Sequence, residues 1–123
     1  MRVVLLGAAT LLLSACGSGH VCPMYRIADG ISFDATAYVT AHPAAAKLCL
    51  APGACQPIDH VTIGADGPGT EHLDLTVTTA SGTVLLRQTA SVRVRYINPD
   101  PGCDNGADRG LVTIAADGSV TTS

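Results

Sequence analysis

The sequence predicts an all-β fold, an antiparallel β-sandwich, on three observations. Apolar and polar residues alternate with a period of two along the longest patterned stretches, as strands half-buried against a core require. Turn-forming Gly, Pro, Asn and Asp interrupt those stretches at short intervals, which divides the chain into about seven strands. The chain is 123 residues long, enough for one domain of ordinary size and too short for two well-packed cores.

The first element belongs outside the fold. Residues 1–15 have a basic start at Arg2 and an apolar run over 3–13, the form of an export signal. The run ends in Leu13-Ser14-Ala15-Cys16, with small residues where a signal peptidase cleft admits them. This tetrapeptide resembles the lipobox of bacterial lipoproteins, which implies cleavage before Cys16 and a thioether-linked diacylglycerol, with palmitate-type chains, on its sulfur. Residues 16–21 then form the lipidated terminus and a Gly/Ser tether, and 22–123 form the sandwich domain. The expected location is the extracytoplasmic face of the cell membrane, in the cell envelope, held there by lipid.

Within the domain, residues 31–39 alternate, which sets Ile31, Phe33, Ala35, Ala37 and Val39 on one face and Tyr38 on the other as an outward aromatic. His42-Pro43 breaks the strand, and residues 44–47 suit a single helical turn. A hairpin follows around Pro52-Gly53, then a short stretch over 58–63. Residues 72–79 alternate again, with Leu73, Leu75 and Val77 inward and Asp74, Thr76 and Thr78 outward. After an Ala80-Ser81-Gly82-Thr83 turn, Val84, Leu86, Ala90, Val92, Val94 and Tyr96 keep one parity, interrupted by Gln88. A strand of that length serves two sheets if it bends near residues 88–90, which suits an immunoglobulin-like arrangement. The chain has no Trp, so the tryptophan that true immunoglobulin domains pack between their cysteines is missing. A Pro/Gly/Asp-rich loop over 98–110, a strand over 111–115, an Asp117-Gly118 turn and a terminal strand complete the chain.

Five cysteines leave one unpaired in an oxidising compartment, and lipidation of Cys16 accounts for the odd one. Cys22, Cys49, Cys55 and Cys103 allow three connectivities. The Pro-Gly turn between Cys49 and Cys55 brings those two within disulfide reach, which ranks Cys49–Cys55 with Cys22–Cys103 first. No CxxC or HxxxH spacing points to a metal centre.

The lipobox, the abundant Ala, Thr and Gly, and the single Lys resemble the small uncharacterised sandwich lipoproteins of high-GC Gram-positive bacteria. Leu48-Cys49-Leu50 through Cys55, the strand–SG–strand stretch, and the segment from Tyr96 to Cys103 carry the likeness. The late loop departs from that type in lacking a second nearby cysteine. The resemblance implies an envelope module, in a group most of whose members have no known activity.

Charge narrows the function further. The net charge is −3, and loss of the export segment leaves 6 basic against 10 acidic residues, with no basic run to attract nucleic acid. Three sets of residues are candidates for chemistry. Asp100, Asp104 and Asp108, with Asn98 and Asn105, offer oxygens for Ca²⁺, but the EF-hand spacing is absent and these are ordinary turn residues. His42, His60 and His72 have neither helix-face nor tight-strand spacing, so no metal ligands and no cofactor are assigned. Arg87, Arg93 and Arg95 share one parity and form a stripe suited to phosphate, with Asp74 as a cross-strand counter-charge. No GxSxG occurs and Asp59-His60 is a sequence neighbour pair rather than a dyad, so no catalytic residue is assigned and the chain is not expected to be an enzyme. The expected function is a non-enzymatic binding or structural interaction module. Its partners are the membrane through its lipid, and an envelope protein or anionic polymer met by a strand edge or the 98–110 loop. A small metal- or solute-binding lipoprotein is the alternative.

Overall fold

The computed structural model describes residues 21, 22, 24, 28–51 and 53–123. The export segment, the lipobox with Cys16, and the tether up to His20 lie outside the described residues. No helix among the described residues is long and apolar enough to cross a membrane.

The described chain is all-β apart from one six-residue helix. In order come β1 (Gly30–Asp34), α1 (Thr36–Ala41), β2 (Lys47–Ala51), β3 (Cys55–Pro57), β4 (Thr62–Ile63), β5 (Gly69–Thr78), β6 (Val84–Ile97), β7 (Ala107–Ile114) and β8 (Val120–Thr122). The strands form one curled sheet in the order β3-β2-β5-β6-β7-β1-β4, with β8 beside β7. All neighbours are antiparallel except β1 and β7, which run parallel with Ile31 opposite Gly110 and Phe33 opposite Val112. The sheet is therefore mixed, not wholly antiparallel. Parallel neighbours need a long connection, and most of the chain lies between these two strands.

The alternating residues do what their period dictates. Leu73, Leu75 and Val77 of β5, and Ala90, Val92 and Val94 of β6, are buried. They join Ile31, Leu48, Leu50, Val112 and Ile114 in one core cluster. Thr78 is the exception: it is buried at 8% exposure, and its carbonyl accepts the Ala46 N–H at 2.9 Å. The register shifts between Val77 and Thr78, where Val77 faces Leu86 and Thr78 faces Val84. That bulge leaves Leu85 without a partner residue, and Leu85 is exposed.

Three local expectations are corrected. Residues 31–39 are not one strand, because the Asp34 carboxylate accepts the Thr36 N–H at 3.0 Å and turns the chain into α1. Ala35, Tyr38, Val39 and His42 then follow helical spacing, so Tyr38 is buried at 3% rather than outward, and the His42 ring meets its edge at 4.3 Å. The helix is too short to persist alone and is held by this packing. Residues 44–47 make no helical turn: Pro43 and Ala44 lie in a turn, and Lys47 already opens β2. Within 58–63 only Thr62–Ile63 is strand, after a turn that contains Asp59 and His60.

The long strand does serve two neighbours, and the change of partner falls at Val94–Arg95 rather than at 88–90. β6 pairs with β5 from Val84 to Val94, and only Arg95, Tyr96 and Ile97 pair with β7. Past Arg109 the edge of β7 is taken by β8, whose Thr122 hydroxyl donates to the Ser91 carbonyl at 3.1 Å. Gln88, opposite Leu75, lies in continuous ladder and is exposed.

Two disulfides staple the chain. Cys49 and Cys55, directly opposite in the β2–β3 hairpin, are bonded with their α-carbons 4.0 Å apart. Cys22 is bonded to Cys103 across 81 residues, with α-carbons 5.4 Å apart, so the start of the domain is fixed to the loop between β6 and β7.

Candidate anion-contact face

The pleat decides what the β6–β7 end presents. Val92 and Val94 point into the core, so Arg93, Arg95 and Ile97 point outward. On β7, Gly110 sits inside, where a β-carbon would come within 2.7 Å of the Val92 Cγ1 methyl, so Arg109 and Leu111 point outward. Arg95 and Arg109 are directly opposite across the antiparallel ladder. Side chains so paired start about 4.5–5.5 Å apart at their β-carbons. Two guanidinium groups therefore share one patch, with Arg93 one pleat further along β6.

Among the described residues, no carboxylate makes an ion pair with Arg93, Arg95 or Arg109. Facing like charges cost about 0.2–1 kcal/mol of stability, so the arrangement runs against what folding alone favours. Beside it, Ser32, Ile97, Arg109, Gly110, Leu111 and Ser123 line a shallow pocket of about 240 Å³. Ile97 and Leu111 remain 48% and 38% exposed. The combination can engage an anionic oxygen group through two planar guanidinium forks and an apolar segment beside it.

Strand register separates the three arginines of the stripe read from the sequence. Arg93 and Arg95 belong to the patch, while Arg87 is opposite Thr76 and about 20 Å further along β6. Asp74 stands opposite Thr89, not opposite an arginine. Arg109 was missed, because only the register of β7 on β6 brings it to Arg95. Its signal in the sequence, a lone Arg in a turn-rich loop, does not distinguish it.

The aspartates do not converge. Asp104 accepts the Tyr96 hydroxyl at 3.4 Å, and Asp108 lies within β7 opposite Tyr96, its N–H donating to the Asp29 carboxylate at 2.8 Å. Asp100 occupies the turn beside Asn98: the Asn98 side-chain oxygen accepts its N–H at 3.2 Å, and its carbonyl accepts the Cys103 N–H at 2.9 Å. The Asn98 amide also donates to the Cys103 carbonyl at 2.8 Å. Asn105 is buried. Among the described residues no three His, Cys, Asp or Glu side chains gather as a metal site would need. These groups close the loop on itself, and Asp104, Asp108 and Tyr96 lie on the opposite side of the pleat from Arg95 and Arg109.

The histidines are equally dispersed. His42 ends α1, His72 Nδ1 is 2.8 Å from the Ser91 hydroxyl across β5–β6, and His60 lies 3.7 Å from the Asp59 carboxylate in an exposed turn. Two carboxyls have pKa values held below the ordinary range: Asp34, chiefly by the Thr36 backbone N–H, and Asp117, chiefly by the Ser119 hydroxyl. Both sit in turns and shape the chain locally. A second pocket, of about 210 Å³, lies between α1 and the turn at Ile58, with Asp34 and Phe33 in its wall.

No family model, no curated protein and no solved structure matches the chain.

Proposed function

We propose that the chain is a lipid-anchored, non-enzymatic interaction module of the cell envelope, which works by contact through the outward face of β6 and β7. Diacylglycerol on Cys16 holds it to the extracytoplasmic side of the membrane. Two disulfides support an oxidising compartment for the domain. The observation that carries the contact reading is Arg95 opposite Arg109 with, among the described residues, no carboxylate ion-paired to either. An anion bound between the two guanidinium groups relieves their mutual repulsion, which is what favours the contact reading. The scaffold behind it is an immunoglobulin-like sandwich in our reading, closed by curling of one sheet. Core residues of β1, β2, β5, β6 and β7 meeting in a single cluster support that closure.

Retention on a phosphate-bearing matrix tests the reading. The full chain is expected to elute at higher salt than its Arg95→Gln/Arg109→Gln variant, because guanidinium–phosphate attraction is screened as salt rises. Equal elution of the two proteins would contradict it.

A further inference from the structure

We infer that the Arg93–Arg95–Arg109 face docks on anionic phospholipid headgroups of the membrane that holds the protein, so that the domain lies on the bilayer in one orientation. The inference rests on the lipid-anchor reading above. Its first support is reach. Cys22 is bonded to Cys103, in the loop that joins β6 to β7, and only five residues lie between Cys16 and Cys22. A chain of that length spans at most about 20 Å. The end of the sheet bearing Arg95 and Arg109 is therefore the end kept nearest the lipid, whatever path those residues take.

Apolar exposure is the second support. Among the described residues, seven large hydrophobic side chains are exposed. Val84 and Leu85 begin β6 at the far end. Val21 and Met24 flank Cys22, and Ile97 and Leu111 lie on the arginine side of β6 and β7 close to the loop, whereas Tyr96 lies on the other side. Met24 and Val21 are almost wholly exposed, at 105% and 86%. An interface of headgroups over acyl chains accommodates such side chains beside arginines.

Charge segregation is the third. Asp104 and Asp108 sit on the other side of the pleat, and Asp29 is engaged there with the Asp108 N–H. Glu71, on the inward parity of β5 opposite Val92, is half-buried. The outward neighbours of Arg93 on β5 are Thr70 and His72, and on β1 Ser32 stands opposite Leu111. Of these described groups, the three arginines thus share one side and Asp29, Asp104 and Asp108 the other, and a negatively charged surface selects the arginine side. An arginine near such a surface favours docking about fivefold, so removing three lowers the ratio of docked to free orientation about a hundredfold.

The test uses the lipidated full-length product in vesicles that carry a spin-labelled headgroup as quencher. A fluorophore is placed at Thr70→Cys, on the basic face opposite Arg93, or at Ser81→Cys, in the turn before β6, about 30 Å from Arg93. Quenching is expected at position 70 but not at 81 when phosphatidylglycerol replaces part of the phosphatidylcholine. It should be lost between about 0.1 and 1 M salt, and in the Arg93→Gln/Arg95→Gln/Arg109→Gln protein. Equal quenching at both positions, or quenching at 70 that ignores phosphatidylglycerol, salt and the three substitutions, would overturn the inference. Flotation with pure phosphatidylcholine vesicles separates the two claims. A protein that floats there but shows no oriented contact keeps its anchor and refutes the docking; one that fails to float refutes the anchor, and the docking with it.

Discussion

Removing the Cys22–Cys103 bridge by the paired change Cys22→Ala/Cys103→Ala is the largest perturbation available outside the core, and its size follows from chain length. The bridge spans 81 residues. In the chain-entropy model a loop of that size restricts the unfolded ensemble by about 4.5 kcal/mol at 25 °C. The Cys49–Cys55 bridge spans only 6 residues and comes to about 2.2 kcal/mol on the same model. Cys103 is buried at 6% exposure, so its truncation also loses packing, whereas Cys49 and Cys55 lie at a half-buried hairpin. The expected order is therefore clear: the long bridge costs the protein about twice what the short one does. Urea unfolding of the two paired variants measures it, with the slope rising more for the long-bridge variant as its unfolded chain expands. If the short-bridge variant is the less stable of the two, the loop-length reasoning is wrong for this fold. A domain with total stability of about 5–15 kcal/mol is expected to survive the first change only narrowly.

Further outcomes follow from single contacts. Arg95→Thr should raise stability by about 0.2–1 kcal/mol in thermal or urea unfolding by relieving the facing charge of Arg109, and the gain should shrink at high salt. Gly110→Ala should cost about 1–3 kcal/mol, because its new methyl meets Val92 at 2.7 Å in a filled core. Leu75→Ala, at a fully buried site, should cost about 2–5 kcal/mol in the same assay. Asp34 and Asp117 have folded pKa values below their unfolded ones, so their contribution is full above the ordinary carboxylate range and is lost as pH falls below it. An Asp34→Asn/Asp117→Asn protein should accordingly show a shallower acid limb when melting temperature is followed against pH.

How much of this was legible beforehand depended on the physics of each segment. Strands β5 and β6 could be read because a period of two held over 72–79 and, with one interruption at Gln88, over 84–96, which a helix does not give. The cysteine hairpin was legible because the turn and the pair to be bridged lie within seven residues. Helix α1 was not: Ala35, Ala37 and Val39 satisfy a strand, while Ala35, Tyr38, Val39 and His42 satisfy a helix. The contact that decides between them is a local one from Asp34 to Thr36. The parallel β1–β7 pairing and the meeting of Arg95 with Arg109 were out of reach for another reason. Both depend on register between segments far apart in the chain, and nothing in either segment alone encodes it.

The contact function and the membrane docking both depend on the lipid at Cys16, and the intact mass of the mature protein extracted from membranes tests that dependence most directly. The expected result is a chain of residues 16–123 carrying diacylglycerol on its first cysteine, and a Cys16→Ser variant that leaves the membrane fraction. A mature chain that begins at another residue, or an unmodified Cys16 in protein that still sediments with membranes, would contradict it.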